Sequence, residues 1–246
     1  MNKTVILLTS CISPGTMPDV VRCDIHHRLQ DYAEGIQNLS RSVRNGQIVY
    51  CDNSGYDLEQ LSRIPETIGS TSEWEFISLD GNKQKDLGKG YGEMEIIRHA
   101  LSHSSLITTD RRVLKVTGRL SLRNSCSILT HIEKDATSAE IFCDLRGNLQ
   151  WADSRVFASS VRFLREYLLP LGSTLNDSLG ISFEHVLARA AHAAMSDGLA
   201  WAMLPETPDL VGVSGTSGTR YPDHRTDFWR RELFRRLKTW CIGRTA

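Results

Sequence analysis

The stretch TVILLTS, residues 4–10, constrains this chain more than any other. It has no charge and an unbroken apolar centre, and a run of that kind reads as a strand buried on both faces. The opening MNKTVILLTSC loosely mimics a lipoprotein leader, with a lysine, apolar residues and LTSC in order. Its apolar core is only Val5 to Leu8, whereas a signal peptide needs about 7–15 such residues. A buried first strand is the better reading. No run approaches the roughly 18 apolar residues of a membrane span, so a soluble or surface-bound protein is expected.

Strand and helix signals alternate from there. A proline-glycine loop (Pro14, Gly15, Pro18) leads to a helical stretch over residues 20–44. GQIVYCDN, residues 46–53, is a second strand closed by an NSG turn. DLEQLSRI predicts a short helix capped by Asp57 and stopped at Pro65. EWEFISLD, residues 73–80, alternates as a third strand. A glycine run then leads to a helix over 93–102, and RRVLKVTGRLSL, residues 111–122, is a fourth strand. Such alternation describes an α/β domain with a mainly parallel sheet flanked by helices. Its functional crevice is expected at the carboxyl ends of the strands. The second half reads as more helical, with helices over 159–169, 182–198 and from residue 227, and a glycine-serine loop over 204–222.

The 246 residues carry 29 basic and 29 acidic side chains. A nucleic-acid binder is usually basic, so none is expected as partner. Six cysteines, at positions 11, 23, 51, 126, 143 and 241, form no CxxC pair and read as reduced thiols in a cytoplasmic protein. His26, His27, His99, His103, His131 and His192 make no spaced cluster.

Two segments carry chemistry. DLGKGYGEMEIIRHAL is neither the dinucleotide fingerprint nor a Walker loop. Still, Lys89, Gly90 and the flanking glycines lie between a strand and a helix start, where free N–H groups favour an anion. Glu93 and Glu95 sit about 200° apart on a helix and cannot chelate one ion together; they read as first-turn charge. In LKVTGRLSLRN, Lys115, Thr117 and Arg119 share a strand face opposite Val116 and Gly118. Two cations on one face of an interior strand need an anion. That anion is either an Asp or Glu of this chain or a bound diphosphate, gripped bidentately by Arg119 with Lys115 as a point charge.

IVYCDNSGYDL, GKGYGEMEIIRHAL, LKVTGRLSLRN, DSRVFASSVRFLREYL, SFEHVLARAAH and GVSGTSGTRYP together resemble successive blocks of bacterial cell-surface polysaccharide glycosyltransferases. Those enzymes serve capsule and O-antigen assembly on a GT-A-like fold, and the likeness spans about residues 4–222. It implies an inverting transferase using a nucleotide-sugar donor, UDP-linked, and a lipid-linked glycan acceptor. It places Thr9, Ser10, Asp52 and Asn53 at the nucleotide end, with Lys89, Gly90, Lys115, Thr117, Gly118 and Arg119 around the diphosphate. GVSGTSG, with Ser214 and Gly215, reads from its small residues either as a lid closing on the donor phosphate or as a flexible connection. The family's usual metal-binding DxD is missing here, so no metal is expected, and Lys115 and Arg119 would neutralise the leaving diphosphate instead. Inversion needs a carboxylate base. The resemblance offers Glu184, with Asp153 as rival, and gives Arg155 and His185 to the acceptor; Asp153 could instead orient Arg155. A sugar-phosphate nucleotidyltransferase and a non-catalytic scaffold are the alternatives.

The expected layout is a transferase domain over 1–222 and a basic amphipathic helix over 223–246. At 100° per residue, Trp229, Leu233, Phe234, Leu237, Trp240 and Cys241 fall within about 140° of arc. Arginines beside that stripe match either a core-packing helix or one lying on an anionic membrane. The second reading puts the protein on the inner face of the cell membrane through residues 227–242.

Overall fold

The structure is a computed structural model and describes residues 4–16, 20–135, 138–146, 148–215, 217–221 and 232–233. Its centre is a seven-stranded sheet. In chain order the strands are β1 (Thr4–Ser10), β2 (Gln47–Asp52), β3 (Glu73–Ser78), β4 (Arg112–Thr117), β5 (Ile141–Phe142), β6 (Val156–Ser160) and β7 (Trp201–Ala202). Across the sheet they run β7-β5-β6-β4-β1-β2-β3. β1 to β4 are parallel, β6 is antiparallel to both β4 and β5, and β7 pairs parallel with β5.

β1 explains why the sheet needs two covering layers. All of its residues are buried, and alternate side chains enter different cores. Val5 and Leu7 meet Met94 and Ile97 of α2 (Lys89–His103), together with Val186 and Ala190 of α4 (Phe183–Ser196). Ile6 and Leu8 meet Tyr32, Ile36 and Leu39 of α1 (Ile25–Ser42), together with Ile128 and Ile132 of α3 (Ser125–Lys134). Asp24 caps α1 by accepting the His27 N–H at 2.8 Å. Gly35 lets α1 press on the turn after β4, since a Cβ there would lie 2.2 Å from the Gly118 carbonyl oxygen.

The α/β expectation holds, with a mainly parallel sheet, and several details are corrected. The helix expected over 93–102 begins at Lys89, so Gly90 and Gly92 lie inside its first turn. The strand expected over 111–122 ends at Thr117; Ser121–Leu122 pairs instead with Leu210–Val211 in a separate ladder. Pro65 does not stop a helix but opens a second short one, Ile64–Thr67. The second half is less helical than its pattern suggests, because β5, β6 and β7 complete the sheet. Residues 159 and 160 finish β6, and the helical segment after them is a chain of short turns, Val161–Phe163, Leu164–Leu168 and Leu169–Thr174. The tail helix expected over 223–246 lies outside the described residues except Glu232 and Leu233. Glu232 is buried and accepts the Thr207 N–H at 3.0 Å, while Leu233 is 60% exposed. Cys11, Cys23, Cys51, Cys126 and Cys143 are free thiols.

Candidate active site

Three parallel strands end together. Thr9 is level with Cys51 on one side and Thr117 on the other, and Ser10 is level with Asp52. Beyond those ends lies a cleft of about 430 Å³. Thr9, Ser10, Asn53, Lys89, Gly90, Thr117, Arg119, Asp153, Arg155, Glu184, Ser214 and Gly215 all line it, as the sequence reading expected of them.

Four other residues singled out above do not. Asp52 is fully buried beneath the cleft. Its carboxylate accepts Ser10 Oγ at 2.6 Å, the Ile12 N–H at 2.9 Å, and the N–H and Oγ of Ser54 at 2.8 and 2.5 Å. Both oxygens are engaged, so Asp52 shapes the loop after β1 and offers a ligand nothing. Gly118 packs the turn onto β1, donating its N–H to the Thr9 carbonyl at 2.9 Å. His185 lies in a separate hollow with Gln150, Arg189 and His192, its Nδ1 3.0 Å from Ser182 Oγ.

Lys115 is the largest correction. It is 1% exposed and its ammonium pairs with Glu93, while donating to Ser154 O at 2.6 Å and Thr117 Oγ1 at 3.1 Å. Thr9 Oγ1 donates to the same Glu93 carboxylate at 3.0 Å. The anion facing Lys115 thus comes from the chain itself, and the pair forms the floor under the cleft. Glu93 escaped notice as a partner because the pattern began its helix four residues late. Arg119, beyond the strand end, donates through Nε to Val213 O at 3.3 Å, and Gly215 lies flat against its guanidinium.

The glycine run is not an open anion cradle. Asp177 closes it, with Oδ2 accepting the Gly90 N–H at 3.2 Å. Gly90 leaves room for that approach, since a Cβ would sit 3.1 Å from Asp177 Oδ1 and 3.0 Å from the Phe183 nitrogen. Burial pushes the Asp177 carboxyl above its usual range, against the pull of that N–H and of Lys89. Both Asp177 and Glu184 face the cleft.

At this second end the two candidate bases differ. Asp153 is 5% exposed and grips Arg155 bidentately, at 2.8 Å to Nε and 2.5 Å to NH2, with Arg146 at 3.3 Å. Burial pushes its pKa up, but the hydrogen bonds and charges of Arg155 and Arg146 outweigh that and hold it below the ordinary carboxylate range. Asp153 therefore orients Arg155, whose guanidinium also lies 5.2 Å from the Tyr221 ring centre. Glu184, in the first turn of α4, accepts only the neutral Ser154 hydroxyl at 2.7 Å among the contacts that place it.

Among the described residues no group of three His, Cys, Asp or Glu side chains could hold a metal ion. The acids nearest the strand ends, Asp52 and Glu93, are engaged as described.

Sequence reasoning missed Arg28, Tyr32, Trp151, Asp177 and Tyr221 as lining residues. Arg28 and Tyr32 are spaced i, i+4 on the inner face of α1, which was the available signal. The polar neighbours of Arg28 hid it.

The fold and this strand-end cleft define a class. The chain is similar to the glycosyltransferase GlyE of Streptococcus pneumoniae TIGR4, at a TM-score of 0.53 and 11% identity, over 83% of this chain and 46% of that one. Its apo form gives 0.51 and 12%, over 82% and 45%. A cytidylyltransferase from Leptospira borgpetersenii serovar Hardjo-bovis shares 11% identity over 85% of this chain and 78% of that one, with a TM-score of 0.48. The fold is GT-A-like and Rossmann-related. This chain spans about half the length of GlyE. No family model and no curated protein matches the sequence. At these identities the likeness speaks to fold alone, and function has to be argued from the site.

Proposed function

We propose that the protein is an inverting, sugar-nucleotide-dependent glycosyltransferase that adds a hexose to a lipid-linked glycan of the bacterial surface. The observation carrying this reading is the pairing within one cleft of Arg119, at the strand ends, with Glu184, a carboxylate facing the cleft without a salt-bridge partner among the described residues. The donor's nucleotide lies toward Thr9, Ser10 and Asn53. Glu184 takes the proton from the acceptor hydroxyl as that oxygen bonds to the anomeric carbon. The bond from that carbon to the diphosphate breaks, and the negative charge leaves against Arg119. Arg155, held rigid by Asp153, orients the acceptor.

The acceptor's lipid carrier requires a membrane surface, and residues 227–242 would supply the contact. No described helix is long and apolar enough to cross a membrane. Co-sedimentation of the full chain with anionic vesicles, lost in high salt, is the result expected of such docking.

The deciding experiment is a thermal-shift panel of UDP-, GDP- and CMP-sugars followed by donor hydrolysis. A true ligand at 100 times its dissociation constant adds about 2.7 kcal/mol. Binding with slow hydrolysis supports a transferase. Release of pyrophosphate from a nucleoside triphosphate and a sugar 1-phosphate would make it a nucleotidyltransferase, and binding of none of these would leave a scaffold.

A further inference from the structure

With Lys115 neutralised by Glu93, a diphosphate at the donor end of the cleft needs positive charge from another element. Arg28 is placed to supply it. It projects from the first turn of α1 into the cleft wall and is 5% exposed. Its Nε donates to Cys11 O at 2.7 Å, NH1 to Arg22 O at 2.9 Å and NH2 to Tyr32 Oη at 3.0 Å. All three acceptors are neutral. A guanidinium has five N–H donors, so two remain beyond these bonds.

No carboxylate answers the charge. Asp31, on the same helix, is committed to Arg22 at 2.5 and 2.8 Å. Asp52 lowers the cost of the Arg28 charge from a distance, but its oxygens are engaged by Ser10, Ile12 and Ser54. Tyr32 ties Arg28 to Arg119: burial raises its phenol, and the positive charges of both arginines oppose that rise. Arg28, Tyr32 and Arg119 line the same cleft, the two guanidinium groups coming from different elements, α1 and the turn after β4. Neither has a carboxylate partner among the described residues. Taking a cation out of water is costly unless a counter-charge arrives.

We infer that Arg28 and Arg119 together form the diphosphate-binding site of the cleft, Arg28 supplying from α1 the charge that Lys115 cannot. The ligand class is a nucleoside diphosphate. Arg28 also fixes the Cys11 loop, so the site is already shaped before ligand enters. This assignment rests on the donor end proposed above, and its test separates the two.

The test is calorimetric titration of the full chain with inorganic pyrophosphate, UDP and uridine. Wild type is expected to bind pyrophosphate and UDP, each more weakly as salt rises, with uridine weaker than UDP. Arg28→Gln should lower UDP and pyrophosphate affinity at least tenfold while leaving uridine unchanged, and Arg28→Lys should fall between. Because UDP and uridine share any loss from a distorted fold, the ratio of their affinities reports the diphosphate contact itself. An unchanged ratio in Arg28→Gln, with only a lower melting temperature, would overturn the assignment and leave Arg28 a loop anchor. If wild type binds pyrophosphate and Arg28→Gln does not, yet no nucleotide binds, the anion site stands and the nucleotide-sugar reading fails. Absence of pyrophosphate and UDP binding in wild type would remove both.

Discussion

The two ends of the cleft manage charge in opposite ways. At the strand-end side the acids are engaged by the chain itself: Asp52 by four hydrogen bonds beneath the cleft, and Glu93, in the lining, by Lys115. Arg28 and Arg119 face the cleft with no carboxylate partner among the described residues. At the α4 side the charge of the cation, Arg155, is matched by Asp153, and the carboxylates of Glu184 and Asp177 also face the cleft. One end is suited to a polyanion and the other to removing a proton from a hydroxyl. Sugar transfer needs both functions about one sugar ring apart. The contrast teaches that residue type alone does not assign roles; the partner of each charge does.

The largest effect should come from the carboxylate end. Glu184→Gln keeps the bond from Ser154 in shape but cannot take a proton, so turnover should fall about 10²–10⁴-fold. Donor affinity, measured by titration, should stay near wild type. Should Asp153→Asn abolish turnover while Glu184→Gln leaves it intact, the two ends would still differ, but the roles of the two acids would be exchanged.

Next comes the floor that separates the ends. Lys115→Met removes one member of a buried ion pair and strands Glu93, and such breaks cost about 3–5 kcal/mol. The melting temperature should drop accordingly, and adding Glu93→Gln should recover part of the loss. If Lys115→Met melts like wild type but no longer binds UDP, Lys115 faces the ligand after all and the contrast weakens.

Arg119→Ala tests the cationic end at smaller scale. A hydrogen bond to a charged group contributes about 1.5–3 kcal/mol, which corresponds to roughly a 10- to 150-fold loss of UDP affinity. Turnover at saturating donor should fall less than in Glu184→Gln.

The Asp153–Arg155 pair sharpens the comparison through pH. Because the folded carboxyl is held below its ordinary range by Arg155 and Arg146, its contribution is complete above the unfolded value, about 3.9. It is lost as pH falls through the lower folded value. Asp153→Asn should therefore be less stable at neutral pH and show a flatter decline in acid than wild type, read by melting temperature against pH.

Much of the first half was legible because its signals are long. β1 to β3 span six or seven residues with clear apolar runs or alternation, and the ends of β1 and β2 border the cleft. β5 and β7 are two residues each, too short for any period to register; only the neighbouring strands define them. The site followed the same division. Glu184 stands in the first turn of α4, where local sequence predicts placement, whereas Arg119 lies in the turn after β4 and not within the strand; both face the cleft. Lys115 was misjudged and Arg28 missed because their roles depend on partners from distant segments. Alternation on a strand tells which side Lys115 takes, but not that α2 brings Glu93 to meet it. On α1, Arg28 sits among histidines and glutamine, so its pattern matches a solvated face. Its burial comes from the loop at Cys11 and the segment at Arg22 folding over it.

The smallest expected effect is that of chelation. In a metal-dependent site the diphosphate charge is held by an ion that side-chain oxygens fix in place. Here the turn after β4 offers Thr117, Gly118 and Arg119, and the two acids closest to it are engaged by Lys115 and by the loop after β1. A guanidinium pair cannot be stripped by a chelator. Transfer, or donor hydrolysis, should therefore continue in excess EDTA at close to its untreated rate. Added salt should slow it instead by screening the cations at the cleft mouth. The opposite pattern, activity abolished by EDTA and restored by manganese while indifferent to salt, would mean that a metal ion fixed by carboxylates, rather than the arginines, holds the diphosphate. The two ends of the cleft would then differ in geometry but not in the sign of the charge they present.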